Sequence, residues 1–244
     1  MAMYTLKRGA AALLAIVAGT ASADISTTIF SITAEAPGNA PMTWSAEINP
    51  NDIDVNGNYN WTLAQPVEMR NAQNELIFRL ESASLGIIAD PVVSLNFGVV
   101  AGQQNTVFTI SSANLSFSPI ATATGRATAG VSATDLNGDG VTFTPWNGGA
   151  YASQYNAASS TFQNLINAPI STGVAFGVVN SNENFPLVGF APIAGAVSDI
   201  QSAWRFSLSA GDLASGTSAF EVVPAPASAA LLGLGIIAAG RRRR

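Results

Sequence analysis

Apolar and polar residues alternate with a period of two along most of this chain. Ile25, Thr27, Ile29 and Ser31 lie on one side of a run whose other side is Ser26, Thr28, Phe30 and Ile32. Such a Thr/Ile-rich alternation suits strands. Leu76, Phe78 and Leu80 alternate with polar or charged neighbours, as do Val107, Thr109 and then Leu115 and Phe117. Val92 to Val100, preceded by Pro91, reads as a buried strand. Trp204, Phe206 and Leu208 alternate near the end, and Phe220 to Val222 supplies a last short strand. Turn residues separate these runs at Pro37-Gly38-Asn39, Asn56-Gly57, Ala101-Gly102, Asn137 to Gly140, Asn147-Gly148-Gly149 and Gly211-Asp212. Many short strands punctuated in this way predict an all-β, antiparallel sandwich-like domain. One segment departs from the pattern. Tyr151, Tyr155, Phe162, Leu165 and Ile166 fall near helical spacing between Gly149 and Pro169, which predicts one short helix packed across a sheet edge or end.

The two ends carry a different pattern. Lys7 and Arg8 precede an uncharged apolar run from Gly9 to Gly19, and Ala21-Ser22-Ala23 follows. A basic start, a short apolar stretch and a small-x-small end predict a secretory signal over residues 1–23. Signal peptidase would recognise Ala21 and Ala23 and cut after Ala23, leaving Asp24 as the first mature residue. At the other end, Pro224-Ala225-Pro226 leads into an apolar stretch from Ala227 to Gly240 and then Arg241, Arg242, Arg243 and Arg244. As a helix that stretch is about 21 Å long against a hydrocarbon core of about 30 Å, a marginal anchor. The four arginines would hold its end on the cytoplasmic side. The expected division is therefore 1–23, a β-rich extracytoplasmic domain over 24–221, and a sorting or anchor segment over 222–244.

That last segment, from Val222-Val223-Pro224-Ala225-Pro226 through Leu231-Leu232-Gly233-Leu234-Gly235 to the four arginines, resembles the PEP-CTERM sorting domain. The resemblance implies an exported protein whose tail is recognised and cut by an exosortase-type membrane protease, in bacteria that make extracellular polysaccharide. It also implies residence in the cell envelope, at the cell surface or in the extracellular matrix. The family's glutamate between the prolines is Ala225 here. Stretches of the middle, such as Asp90 to Val93 and Phe206 to Asp212, are loosely similar to proteins carrying the same tail, which implies no particular activity.

Composition narrows the chemistry. The chain has 10 basic and 15 acidic residues. Outside the two ends only Arg70, Arg79, Arg126 and Arg205 remain, against every one of the acids and no lysine. A surface so acidic disfavours nucleic acid and attracts cations. Cysteine is absent, so neither disulfides nor thiolate metal sites are available. Histidine is absent as well, which removes the usual general base and the Ser-His-Asp triad. No catalytic residue is assigned. A carboxylate pair of the glycosidase kind is the one enzymatic alternative, since it needs only two Asp or Glu.

Two loops have ligand-like spacing. Asp135, Asn137 and Asp139, with Gly140 at the sixth position, match the first half of a calcium loop, but the twelfth position is Trp146 instead of a bidentate carboxylate. Asp52, Asp54, Asn56 and Gly57 repeat the spacing, with Leu63 at the twelfth position. Both fit weak Ca²⁺ binding and both fit β-turns in which glycine supplies positive φ. Sugar-binding sandwiches stack rings on exposed aromatic side chains. Trp61 and Trp146, close after the two loops, are the candidates here, whereas Trp44 and Trp204 sit in alternating runs and read as core. The expectation is thus a structural or polysaccharide-associated surface protein, with a carbohydrate-binding module as the alternative.

Overall fold

The computed structural model describes residues 24–225. The signal cleavage residues Ala21 and Ala23, and Pro226 and Arg241 to Arg244 of the tail, lie outside them. In chain order the first strands are β1 (Asp24–Ile25), β2 (Thr28–Glu35), β3 (Met42–Glu47), β4 (Tyr59–Thr62), β5 (Val67–Arg70) and β6 (Leu76–Ile88). Next come β7 (Val92–Ala101), β8 (Thr106–Ser112), β9 (Leu115–Ile120), β10 (Ala123–Thr134), β11 (Val141–Pro145) and β12 (Tyr151–Tyr155). The last are β13 (Ser160–Leu165), β14 (Ile170–Thr172), β15 (Val178–Phe185), β16 (Ala191–Pro192), β17 (Val197–Leu208) and β18 (Leu213–Pro224). The one helical element among the described residues is a single 3₁₀ turn, Pro50–Asp52.

These strands form two antiparallel sheets packed as a sandwich. The first runs β1-β9-β17-β8-β2-β3, and β11 and β12 pair with the opposite edge of β17. The second runs β15-β10-β18-β7-β6-β4, with β16 beside β15 on β10 and β5 beside β4 on β6. The predicted alternation explains which faces meet. Trp204, Phe206 and Leu208 of β17 point inward and are buried, as are Leu95, Phe97 and Val99 of β7 and Phe220 and Val222 of β18.

Aromatic rings bridge the two layers. Phe97 meets Trp204 edge-on at 5.3 Å and stacks on Phe206 at 5.7 Å. Phe206 also stacks on Phe143 at 4.6 Å. On one flank Phe30 packs against Trp61 at 5.6 Å, and on the other Phe162 stacks on Phe220 at 5.6 Å. Trp204 is 1% exposed, and its indole N–H donates to Ser218 Oγ of the facing sheet at 3.0 Å. Gly216 of β18, opposite Phe97 in the same sheet, leaves room for that ring: a Cβ there would lie 2.4 Å from it.

The helix expected between Gly149 and Pro169 does not form. That segment is the hairpin β12–β13, and β12 lies against β17 with Tyr151 opposite Trp204. Tyr151, Ser153 and Tyr155 are all buried while Ala152 and Gln154 are partly exposed, which is a strand's period of two. A spacing of four satisfies both periodicities. The buried Ser153 between the two tyrosines decides between them, because its hydroxyl bonds the Gln163 backbone across the hairpin. At the turn, Asn156, Ala157 and Ala158 all have left-handed φ, at 55°, 55° and 58°. The Asp199 carboxylate holds them by accepting from the Ala157 N–H at 2.6 Å.

The rings facing Phe206 set a stability prediction. Phe206→Ala should lower the unfolding free energy by about 3–5 kcal/mol, as large-to-small core changes do. The exposed Phe190 changed to Ala should cost well under about 1 kcal/mol. Urea denaturation of the two variants checks both values.

Candidate functional site

The loop after β10 is built around one carboxylate. Asp135 Oδ1 accepts from the N–H groups of Asn137 at 3.1 Å and Gly138 at 2.8 Å. Its Oδ2 accepts from Gly140 at 3.1 Å and from Phe176 at 2.8 Å. The Asp135 N–H in turn donates to the Gly177 carbonyl. Asn137 accepts from the Asp139 N–H and donates its amide to the Ala210 carbonyl. Asp135 therefore ties the loop to the segment before β15, and Asn137 ties it to the turn between β17 and β18. Gly138 and Gly140 have φ of +89° and +96°, which a β-turn needs and L side chains avoid.

Sequence spacing missed one member of the site. Asp212, from the turn before β18, reaches the loop, and ligand-capable oxygens of Asp135, Asp139 and Asp212 all lie within 4.8 Å of one another. No linear pattern joins Asp212 to the loop; only the antiparallel register of β10 with β18 brings them together, with Thr134 opposite Leu213. Asp212 is fully buried, accepts from the Leu136 N–H at 3.3 Å and bonds the Ser209 hydroxyl.

The two buried acids titrate in opposite directions. For Asp135, burial pushes the carboxyl up, but the backbone N–H groups of Gly138, Phe176, Gly140 and Asn137 outweigh it and hold the group below its ordinary value. For Asp212, burial dominates and the charges of Asp135 and Asp139 add to it, so its value is raised despite the Ser209 and Leu136 bonds. A carboxylate offers about four lone-pair directions, and at Asp135 all four meet an N–H. As ligands for a cation, Asp139 and Asp212 have more capacity left than Asp135 and Asn137.

The second Asp/Asn-Gly loop is simpler. Asp54 Oδ1 accepts from the N–H groups of Asn56 and Asn58, both at 2.8 Å, and its other oxygen accepts from the Asn58 amide. These bonds, those to Asn58 foremost, hold its carboxyl below the ordinary value. No third carboxylate joins Asp52 and Asp54 in a three-acid group among the described residues.

Trp61 and Trp146, the two candidate sugar platforms, are not brought together. Trp61, on β4, is half-buried between Phe30 and Trp44, 6.4 Å from the latter ring. Trp146, just after β11 in the other sheet, is 38% exposed and has the Arg205 guanidinium 4.3 Å above its ring. The four arginines are otherwise engaged as well: Arg70 with Glu68, Arg79 with Glu81, Arg126 with Glu221, and Arg205 at 3.9 Å from Glu35. At the C-terminal end Pro224 pairs with Ala123, and the Ala225 N–H donates to the Thr122 carbonyl at 2.9 Å. None of the described helical residues forms a helix long and apolar enough to cross a membrane.

The raised Asp212 value carries a signed prediction. Its ionised form is disfavoured by folding, so the penalty is present in full above the raised folded value and disappears below the ordinary 3.8. In chelator, Asp212→Asn should therefore melt above the native chain at neutral pH, and the two curves should converge as the pH falls toward 3.8. Melting temperature against pH checks this. No protein-family model matches the chain, and no curated protein matches it.

Proposed function

We propose that this chain is a non-catalytic, exported envelope protein, sorted through its tail by an exosortase-type protease and retained as a structural component of extracellular polysaccharide. The observation that supports this reading is where the core stops. Among the described residues Val222 is the last fully buried side chain, Pro224 ends β18, and the Ala225 N–H ties off the sheet edge. A protease acting beyond Ala225 therefore removes no described core residue, and the sandwich can outlive its tail. The chemistry of the surface agrees. The four described arginines are paired, the acids are in large excess over them, and neither histidine nor cysteine is present to run common hydrolytic chemistry.

The test is fractionation of the producing cells with an internal epitope in the exposed turn between β4 and β5. A tail-bearing membrane precursor should give way to a shorter form in the envelope or medium. Replacing Arg241 to Arg244 with serine should block that conversion. A single uncut cytoplasmic species from the native chain would overturn the reading.

A second reading, divalent cation binding at Asp135, Asp139 and Asp212, is favoured by the convergence of three carboxylates within 4.8 Å. Burial is the main cause of the raised Asp212 value, and a cation there would relieve the repulsion from Asp135 and Asp139 that adds to it. With so few free oxygens the affinity belongs to the millimolar class of extracellular calcium modules. Ca²⁺ at ten times such a Kd should stabilise the chain by about 1.4 kcal/mol, visible as a rise in melting temperature. Asp139→Asn and Asp212→Asn should each remove the rise, and an unchanged melting temperature in the native chain would overturn the reading.

A further inference from the structure

The outer face of the second sheet carries no charge along its central rows. Its cross-strand rows follow from the register of β7, β18, β10 and β15. One row is Ser94, Ala219, Thr128 and Asn184; the next is Asn96, Thr217, Gly130 and Asn182. A third is Gly98, Ser215, Ser132 and Asn180. Across these rows there is no charged side chain and none larger than asparagine, in a chain with 15 acids. Ordinary soluble surfaces carry roughly a quarter to a third charged residues.

The middle of the face is hollowed. Small side chains on β10 and β18 leave a depression of about 440 Å³ between Asn96 on one side and Asn182 and Asn184 on the other. Thr128 and Ala219 also line an adjoining space of about 260 Å³ that reaches Arg126, Glu221 and Val92. At that end the guanidinium of Arg126 is bonded to Glu221 at 2.6 Å, and the partly exposed Phe190 ring lies over it at 5.3 Å. Asn96 donates its amide to Ser84. The side chains of Thr128, Thr217, Asn182 and Asn184 have no hydrogen-bond partner among the described residues.

From this chemistry we infer that the outer face of the second sheet binds a neutral, polyhydroxylated polymer, an uncharged glycan chain lying across the strands. The face offers hydroxyls and amides that both donate and accept, which is what sugar hydroxyls require. It offers neither a free cation for a carboxylate or sulfate nor a free carboxylate for a base, because Arg126 and Glu221 neutralise each other. Serine, threonine and asparagine on rigid strands lose far less rotamer freedom on binding than the lysines and glutamates of a common surface. Phe190 supplies one apolar ring at the end of the trough. A lipid or an apolar peptide finds no matching surface there. Two copies face to face would bury amides and hydroxyls against one another, at a desolvation cost.

This inference rests on the polysaccharide-associated reading above, but it is read from the purified full chain and so stands or falls apart from the sorting of the tail. Native gels cast with hydroxyethylcellulose, a galactomannan or alginate measure retardation. At least one neutral polymer should retard the chain, and alginate should not. Thr217→Glu should abolish the retardation, and Asn182→Ala with Asn184→Ala should weaken it about tenfold. Ser45→Glu, on the exposed outer face of β3 in the other sheet, should leave it unchanged. Melting curves identify any variant that has lost its fold, and the milder alanine pair then decides. Migration unaffected by both neutral polymers overturns the inference. So does equal loss in Ser45→Glu, or a dimer on size exclusion that Thr217→Glu splits, which would assign the face to a second copy.

Discussion

The fold depends on the inward row of β17. That strand is the splint of the first sheet: one edge carries β9 and then β8, the other β12 and then β11. Four strands therefore take their position from one. The same strand supplies Trp204 and Phe206, the rings that meet Phe97 of the opposite sheet. In-plane hydrogen bonding and out-of-plane packing thus share twelve residues. With no disulfide possible, the alignment of the layers rests on that ring cluster and on the Trp204–Ser218 bond. The bond is a directional constraint: an indole N–H buried at 1% exposure is costly without an acceptor. Ser218 supplies one only when the sheets are in register.

Much of this was legible from alternation. The runs at Val92 to Val100 and at Trp204 to Leu208 are strands with the inward residues that a period of two selects; β8 is a strand too, but Phe108 and Ile110 face inward there, not Val107 and Thr109. Most of the turn glycines fall between strands for a local reason, positive φ; Gly102 instead lies against the Leu76 carbonyl, where no Cβ fits. The segment from Gly149 to Pro169 failed because Tyr151 and Tyr155 are compatible with either period. What settles it is tertiary: the free edge of β17 needed a partner, and Asp199, remote in sequence, stabilises a left-handed turn at Asn156 to Ala158. No local propensity encodes either. The same holds for Asp212. Its approach to Asp135 is a product of strand register, invisible to any motif of fixed spacing.

The acidic loop shows how one group can serve as architecture and leave a question of charge behind. Asp135 accepts four backbone N–H groups from two segments, which makes it a substitute for missing secondary structure at that end of the sandwich. Ionisation is what makes it a good acceptor, and the same negative charge then bears on Asp212 and Asp139. A proton on Asp212 or a cation among the three are the two ways to relieve it. The calcium-like spacing is therefore ambiguous for a physical reason: loops that present a carboxylate to their own backbone and loops that present it to an ion use the same alternation of Asp, Asn and Gly.

Charge placement connects this end of the molecule to its broad faces. The acids lie mainly in turns, at strand ends and beside arginines, while the central rows of the second sheet are left to serine, threonine, asparagine and glycine. Solubility does not require this arrangement, since carboxylates on an exposed sheet face would serve it better. Strand propensity does not require it either, because glycine and asparagine are poor strand formers. Gly130 is not forced by packing, since a Cβ there would make only ordinary contacts with Thr217 and Asn182. A face that gives up both strand propensity and charge, where neither packing nor solubility asks for it, has the features expected of a surface shaped by what lies against it.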